Sequence, residues 1–84
     1  MKYIIIIKRK AEKELLGLQR IDVIKIREVI NRLAENPRPH GSKKLSGSIN
    51  EYRLRVGNFR ILYTVNDTII TICIFKVAHR KETY

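Results

Sequence analysis

Three arginines alternate along the segment EYRLRVGNFRILY, and their spacing predicts one surface that can hold a phosphate. Two alternating apolar stretches flank Gly57-Asn58, a dipeptide that tolerates the positive φ of a two-residue hairpin turn. With the turn there, Arg55 lies opposite Arg60, and Arg53 shares their face, because side chains alternate along a strand. A guanidinium group binds a phosphate through two parallel N–H···O hydrogen bonds. The pattern therefore favours a polyanionic ligand.

The other face of the same hairpin is entirely apolar or aromatic. Its members are Tyr52, Leu54, Val56, Phe59, Ile61 and Tyr63. We expect these side chains to pack on a core, which leaves the arginines on the far side of the sheet. Like charges directly opposite each other weaken a strand pair by up to about 1 kcal/mol, and a bound polyanion would reverse that repulsion. An ordinary solvated face is the alternative interpretation.

The stretch VAHRKETY adds groups suited to phosphodiester chemistry. We expect it to bring His79, Arg80 and Tyr84 to one end of the sheet, beside the arginines. In metal-independent RNA cleavage, the ribose 2′-OH attacks the adjacent phosphate, one group takes its proton and another protonates the leaving 5′-oxygen. Cations stabilise the charge that develops on phosphorus, and a histidine moves protons near neutral pH. No metal site and no cofactor are implied, since neither ligand spacing nor a phosphate loop is found.

Composition favours one small basic domain over residues 1–84. The 84 residues include 18 Lys and Arg against 8 Asp and Glu, giving a net charge of +10. An excess of this size implies an acidic partner such as nucleic acid. No apolar run approaches the roughly 20 residues of a membrane helix, and the single Cys73 offers no disulfide framework. We therefore expect a cytoplasmic protein without a membrane partner.

Hydrophobic periodicity predicts one strand, two helices and three further strands. The first strand is Tyr3–Ile7, and the helices span about Arg9–Leu18 and Ile21–Glu35. Asn36–Ser42 contains both prolines and is predicted to be a loop. A short extended piece begins at Lys43. The order indicates an α+β fold with a helical hairpin packed on one face of a mainly antiparallel sheet.

A second two-residue turn is expected at Asn66-Asp67, followed by a last strand over Thr68–Val77. This register puts Ile70, Ile72 and Ile74 on the core face. It also puts four side chains on the arginine face, namely Thr71, Cys73, Phe75 and Val77.

Further cations are expected to form a non-specific patch that contacts RNA through its phosphate backbone. They are Arg38, Lys43, Lys44 and Lys81. Contacts of this kind set affinity without specifying sequence.

The succession NPRPHGSKKLSG, EYRLRVGNFRILYTV and VAHRKETY resembles the RelE/ParE superfamily of type II toxins, and specifically its RelE-like branch. The match covers nearly the whole chain. It implies a RelE-like fold and a ribosome-dependent endoribonuclease that cuts mRNA and so inhibits translation. It also implies a cognate antitoxin, a small acidic protein with a DNA-binding N-terminal part, that holds the toxin inactive.

The resemblance also implies roles for individual residues. The positions carried over as catalytic are Arg53, Arg55, Arg60, His79, Arg80 and Tyr84. Arg60 matches the arginine that binds the scissile phosphate, and Arg80 matches the arginine that stabilises the leaving group. Some members have lysines at the first two positions. Because arginine deprotonates poorly, His79 or Tyr84 is the better proton-transfer group.

Two other functions stay open at the level of sequence. A ParE-like inhibitor of DNA gyrase shares the fold and catalyses nothing, although such relatives generally lack the arginine and histidine set found here. A degenerate member would serve only as an antitoxin-binding or DNA-regulatory subunit.

Overall fold

A computed structural model describes residues 2–79, which form two helices packed on a five-stranded mixed sheet. In chain order the elements are β1 (Ile4–Ile7), α1 (Arg9–Leu16), α2 (Arg20–Leu33), β2 (Lys43–Lys44), β3 (Glu51–Val56), β4 (Phe59–Asn66) and β5 (Thr71–His79). The strand order is β1-β5-β4-β3-β2. β1 runs parallel to β5, and the other neighbours are antiparallel. The predicted α+β class is confirmed.

The two helices lie on one face of the sheet, which we call the helix face, and each buries a single apolar stripe against it. The buried residues are Ala11 and Leu15 of α1 and Ile26, Ile30 and Leu33 of α2. They recur at the three- and four-residue steps of one helix face. α1 ends two residues earlier than predicted because the chain turns more tightly there. The N–H of Leu18 bonds to the carbonyl oxygen of Leu15, only three residues back.

The β3–β4 hairpin has the predicted register at every pair from Val56–Phe59 to Tyr52–Tyr63. Gly57 has a φ of +58°, the conformation that the first turn position of such a hairpin requires. Tyr63 is fully buried, and its ring stacks on that of Tyr52 with centroids 5.8 Å apart. The apolar side of the hairpin thus forms the part of the core that packs against the helices.

The predicted two-residue turn between β4 and β5 is wrong, since β5 begins at Thr71 and four residues separate the strands. The side chain of Asn66 organises this longer turn. Its Oδ1 accepts hydrogen bonds from the N–H groups of Thr68 (3.0 Å) and Ile69 (3.1 Å), as asparagine does in turns. Ile70, expected on the core face of a strand, instead has a φ of +51°. That left-handed conformation is unfavourable for a β-branched residue.

A bulge in β5 reverses the alternation of its second half. Leu62 pairs with Lys76 while Tyr63 pairs with Ile74, so β5 has one extra residue, Phe75, at this point. The prediction that Val77 lies on the arginine face is therefore wrong. Val77 is 4% exposed and belongs to the core under the helices.

Glu14 of α1 completes the outer edge of β5 beyond the point where β1 ends. β1 pairs with β5 only as far as Ile7 and Ile74. Just past the bulge, the N–H of Val77 donates to Oε1 of Glu14 at 2.9 Å, and Nζ of Lys76 lies 3.8 Å from Oε2 of the same carboxylate. A helix side chain thus pairs a strand N–H that β1 does not reach.

We expect Ile70→Gly to raise the free energy of unfolding by about 1 kcal/mol, because glycine adopts the left-handed conformation without the steric cost that other residues bear. Ile70 is not part of the buried core, so its side chain contributes little packing. Urea unfolding of both proteins measures the difference. The matched control is Ile69→Gly, a neighbouring exposed position outside the left-handed region. Equal or lower stability of Ile70→Gly would contradict the assignment of strain.

Candidate functional site

The face of the sheet away from the helices carries a cluster of cations, which we call the arginine face (Arg53, Arg55 and Arg60). Arg55 and Arg60 are direct partners in the β3–β4 ladder. Their neighbours Leu54 and Ile61 belong to the core under the helices. Because side chains alternate, the arginines point to the opposite side. The structure thus brings together these three predicted site residues.

Lys43 extends the arginine face across the next strand. It pairs with Arg53 between β2 and β3, and the two share a face as direct partners do. A depression of about 290 Å³ lies here, lined by Gly41, Lys43, Arg53 and Arg55. Within residues 2–79 this lining contains three cations and no carboxylate, which favours an anionic ligand such as a phosphate.

Arg60 is less exposed than its ladder partner Arg55. It pairs with Ala78 of β5, and both Ala78 and Leu62 are buried, at 3% and 7% exposure, outside the core under the helices. Arg60 itself is half-buried, whereas Arg55 is exposed. Reduced contact with water strengthens a charge–charge interaction. Arg60 is therefore better placed than Arg55 to hold one phosphate firmly.

His79 does not join the arginine face, so the expected convergence is wrong at this residue. Because of the bulge in β5, the side chain of His79 lies on the same face as that of Val77. His79 pairs with Phe59 on the helix face. The two rings meet edge to face with centroids 5.2 Å apart and planes 81° apart. His79 also lines a pocket with residues of α2. A proton carried by this imidazole is thus on the wrong side of the sheet for a phosphate on the arginine face.

Arg38 is also on the helix side, where it closes the loop over the sheet. Its guanidinium donates to Oδ2 of Asp67 at 2.8 Å and to the Tyr52 hydroxyl at 2.9 Å. The Tyr3 hydroxyl donates to Oδ1 of Asp67 at 2.5 Å. Arg38 thus joins the loop to the β4–β5 turn and to β3. Residue types alone did not reveal this role, since Arg38 and Asp67 are 29 positions apart.

Lys44 faces away from the arginine face, because it is the direct partner of Tyr52 in the ladder. Of the two adjacent lysines only Lys43 extends the cluster. Arg80, Lys81 and Tyr84 lie outside the described residues, and their predicted roles stay predictions. Residues 2–79 hold no group of three or more His, Cys, Asp or Glu side chains arranged to bind a metal ion. No helix in this range has the length and hydropathy to cross a membrane.

Comparisons with known proteins agree with this architecture. Residues 5–84 match the family described as ParE toxin of type II toxin-antitoxin system, parDE. The chain is 36% identical to a putative toxin RelE1 of Methanocaldococcus jannaschii, covering 100% of this chain and 97% of that protein.

Solved structures of toxin–antitoxin complexes are also similar. An archaeal RelE–RelB complex from Pyrococcus horikoshii OT3 matches with a TM-score of 0.87 at 28% identity, over 99% of this chain and 100% of that one. A RelB–RelE complex from Methanococcus jannaschii matches with a TM-score of 0.75 at 29% identity, over 90% and 91%.

We expect Arg55→Thr to raise the free energy of unfolding by about 0.2–1 kcal/mol, because it removes a like-charge pair and places a β-branched residue in a strand. Urea unfolding at low ionic strength measures the gain. The gain should shrink at about 1 M salt, where the Debye length is near 3 Å. Lys44→Thr, on a strand residue opposite an uncharged tyrosine, is the control. A salt-independent gain in both variants would assign the effect to strand propensity alone.

We expect Asp67→Asn to flatten the loss of stability in acid. Hydrogen bonds from Arg38 and Tyr3 hold the pKa of Asp67 below its usual value. The unfolded chain thus takes up a proton near pH 4 while the folded chain does not, and stability falls as pH falls from about 4 toward the lower folded pKa. Melting temperatures at pH 7 and pH 3 measure the change. Glu28→Gln, in an exposed pair with Arg32, is the control. An equal acid loss in wild type and Asp67→Asn would remove this carboxylate from the explanation.

Proposed function

The chain belongs to the ParE toxin family of type II toxin-antitoxin systems and is a RelE-like toxin, and from this premise we propose that it inhibits translation by cutting mRNA on the ribosome. The observation that carries the proposal is the arginine face. Three guanidinium groups and one ammonium share the face of the sheet away from the helices, and they form two like-charge pairs of direct partners, Arg55–Arg60 and Lys43–Arg53. A fold that only needed a solvated surface gains nothing from that repulsion, whereas a phosphodiester neutralises it.

The proposed reaction is an internal transfer at phosphorus. The ribose 2′-oxygen attacks the adjacent phosphate, the P–O5′ bond breaks, and the products are a 2′,3′-cyclic phosphate and a free 5′-hydroxyl. One proton leaves the 2′-OH and one is delivered to the 5′-oxygen, so charge and atoms balance. Arg60 would hold the non-bridging oxygens, with Arg53 and Arg55 beside it, because a planar guanidinium group donates two parallel hydrogen bonds to such oxygens.

The groups that move protons are not the arginines. A guanidinium stays protonated at neutral pH, and His79 lies on the helix face with Phe59. Tyr84 therefore takes over as the preferred proton-transfer candidate, and Arg80 as the cation for the leaving oxygen. Both remain proposals that rest on the sequence pattern.

The ribosome is the proposed source of substrate geometry. Holding the 2′-oxygen in line with the scissile bond accounts for a large part of the rate enhancement in intramolecular reactions, and the arginine face alone offers charge but little shape. Lys43 extends the face toward one sheet edge, where it would contact RNA backbone. The proposal accordingly includes a cytoplasmic location, with mRNA and the ribosome as partners.

An antitoxin is the other proposed partner. The similar archaeal toxins were crystallised with RelB antitoxins, and this chain has a net charge of +10. A small acidic antitoxin would cover part of that charge. Electrostatic attraction of this kind speeds association and favours the correct partner.

We expect Arg60→Gln to lower mRNA cleavage by about 10²-fold or more, because it removes the principal donor to the charge that develops at phosphorus. Growth after induction and primer extension on cellular mRNA measure the loss. Arg20→Gln, an exposed arginine of α2, removes the same charge elsewhere and should remain toxic. Circular dichroism checks that both variants fold.

Full toxicity of Arg60→Gln would refute the assigned phosphate site. Growth arrest without new mRNA ends, together with loss of DNA supercoiling by purified gyrase, would favour gyrase inhibition instead. Absence of toxicity in the wild-type chain would indicate a degenerate member.

A further inference from the structure

A second concave site lies on the helix face, at the end of the sheet where β3 turns into β4. This turn-end pocket has a volume of about 490 Å³, within the range of about 300–1,000 Å³ typical of small-molecule sites. The turn between α1 and α2 forms one wall, and the Gly57-Asn58 turn forms another. Side chains that matter below are Leu18, Asp22, Lys25, Ile26, Phe59 and His79.

The walls of the turn-end pocket combine flat apolar surface with hydrogen-bonding groups. Phe59 and His79 meet edge to face, and Leu18 adds aliphatic surface. Asp22 and Lys25 are three residues apart on α2, and within residues 2–79 neither forms an ion pair. A carboxylate accepts hydrogen bonds and an ammonium donates them. A planar heterocycle with donor and acceptor edges fits this set.

The turn-end pocket and the arginine face are two sides of one hairpin end. Val56 and Phe59 flank the turn and line the pocket. The next residue along each strand, Arg55 or Arg60, lies on the opposite face and forms the next pair. One residue of strand rises only about 3.3 Å. A nucleotide chain that joins a phosphate on Arg55 and Arg60 to a base in the pocket would have to cross from one face to the other at this turn, where the two sites are adjacent along the strands.

We infer that the turn-end pocket binds an unstacked nucleobase of the RNA whose phosphate lies on the arginine face. This inference rests on the proposed function, because the same RNA fills both sites. Proteins recognise single-stranded RNA by stacking bases on aromatic side chains and bonding to their edges. His79 then contacts a base and takes no part in proton transfer at the phosphate.

A protein side chain is the weaker alternative for this pocket. An apolar side chain of an antitoxin would cover Leu18 and Phe59 but leave Asp22 and Lys25 without partners, which costs free energy when such groups lose water. A base presents a flat ring to the apolar side chains and hydrogen-bonding edges to the charged ones. Its attachment to a bound phosphate also raises its local concentration at the pocket.

The test is binding of a fluorescein-labelled hexaribonucleotide with 2′-O-methyl groups, which block cleavage, to the full chain. Six further oligonucleotides each carry one abasic nucleotide. We expect one abasic position to weaken binding about tenfold in the wild type. That penalty should vanish in Phe59→Leu and fall in Asp22→Asn. Lys13→Gln, on an exposed residue of α1 outside the pocket, is the control and should keep it.

The salt dependence separates the pocket from the arginine face. Arg55→Gln should lower the slope of log affinity against log salt by about 0.7, the value for one phosphate contact on a single strand, whereas Phe59→Leu should leave the slope unchanged. Equal affinity for every abasic oligonucleotide, or an abasic penalty that persists in Phe59→Leu, overturns the turn-end pocket. Primer extension judges the nuclease separately, since binding of the blocked oligonucleotide requires no cleavage.

Discussion

The two-residue period of the β3–β4 hairpin is the constraint on which the rest of the structure depends. Leu54, Ile61 and Tyr63 are buried at 6%, 0% and 0% exposure under the helices, and this burial determines the direction of every alternate residue. The arginines cannot turn inward without exposing the core residues, because a shift of one residue exchanges the two faces. Packing on one side of the sheet thus holds cations together on the other, against their mutual repulsion.

The bulge in β5 divides the predicted site between two faces. Before Phe75, β5 alternates as predicted, with Ile72 and Ile74 in the core. After Phe75 the alternation is shifted by one residue, so Val77 and His79 lie on the helix face. The carboxylate of Glu14 bonds to the N–H of Val77 beside this irregularity, which stabilises it from α1. The bulge that directs Val77 into the core therefore also directs the His79 imidazole away from the arginine face. A bulge beside a functional surface often redirects a side chain in this way.

Local patterns predicted the hairpin but not the features that depend on distant partners. The Gly57-Asn58 turn and the register from Val56–Phe59 to Tyr52–Tyr63 follow from adjacent residues alone. In the β4–β5 turn, Asp67 contacts Arg38 and Tyr3 at separations of 29 and 64 residues. The residues next to Asp67 in the sequence give no indication of such contacts.

The bulge did leave a signal in the sequence. The buried residues Ile72, Ile74 and Val77 of β5 are separated first by two positions and then by three, and strict alternation does not allow the second step. The lysine at position 76 marks the same change of phase. Charge on the arginine face was predictable because it needs only the hairpin. The position of His79 was missed, since it depends on the one extra residue, Phe75, that lies earlier in the same strand.

Separating the imidazole from the guanidinium groups changes what the arginine face can do alone. Arg53, Arg55 and Arg60 supply charge but accept no proton at neutral pH. Bound RNA would therefore be held with its developing charge stabilised, while removal of the 2′ proton needs a group from elsewhere. A cationic surface of this kind binds any phosphodiester and selects none. Selectivity then has to come from groups that contact bases or from the particle that presents the RNA. On this argument the proposed nuclease would cleave free RNA slowly, and its rate would depend on how the substrate is held.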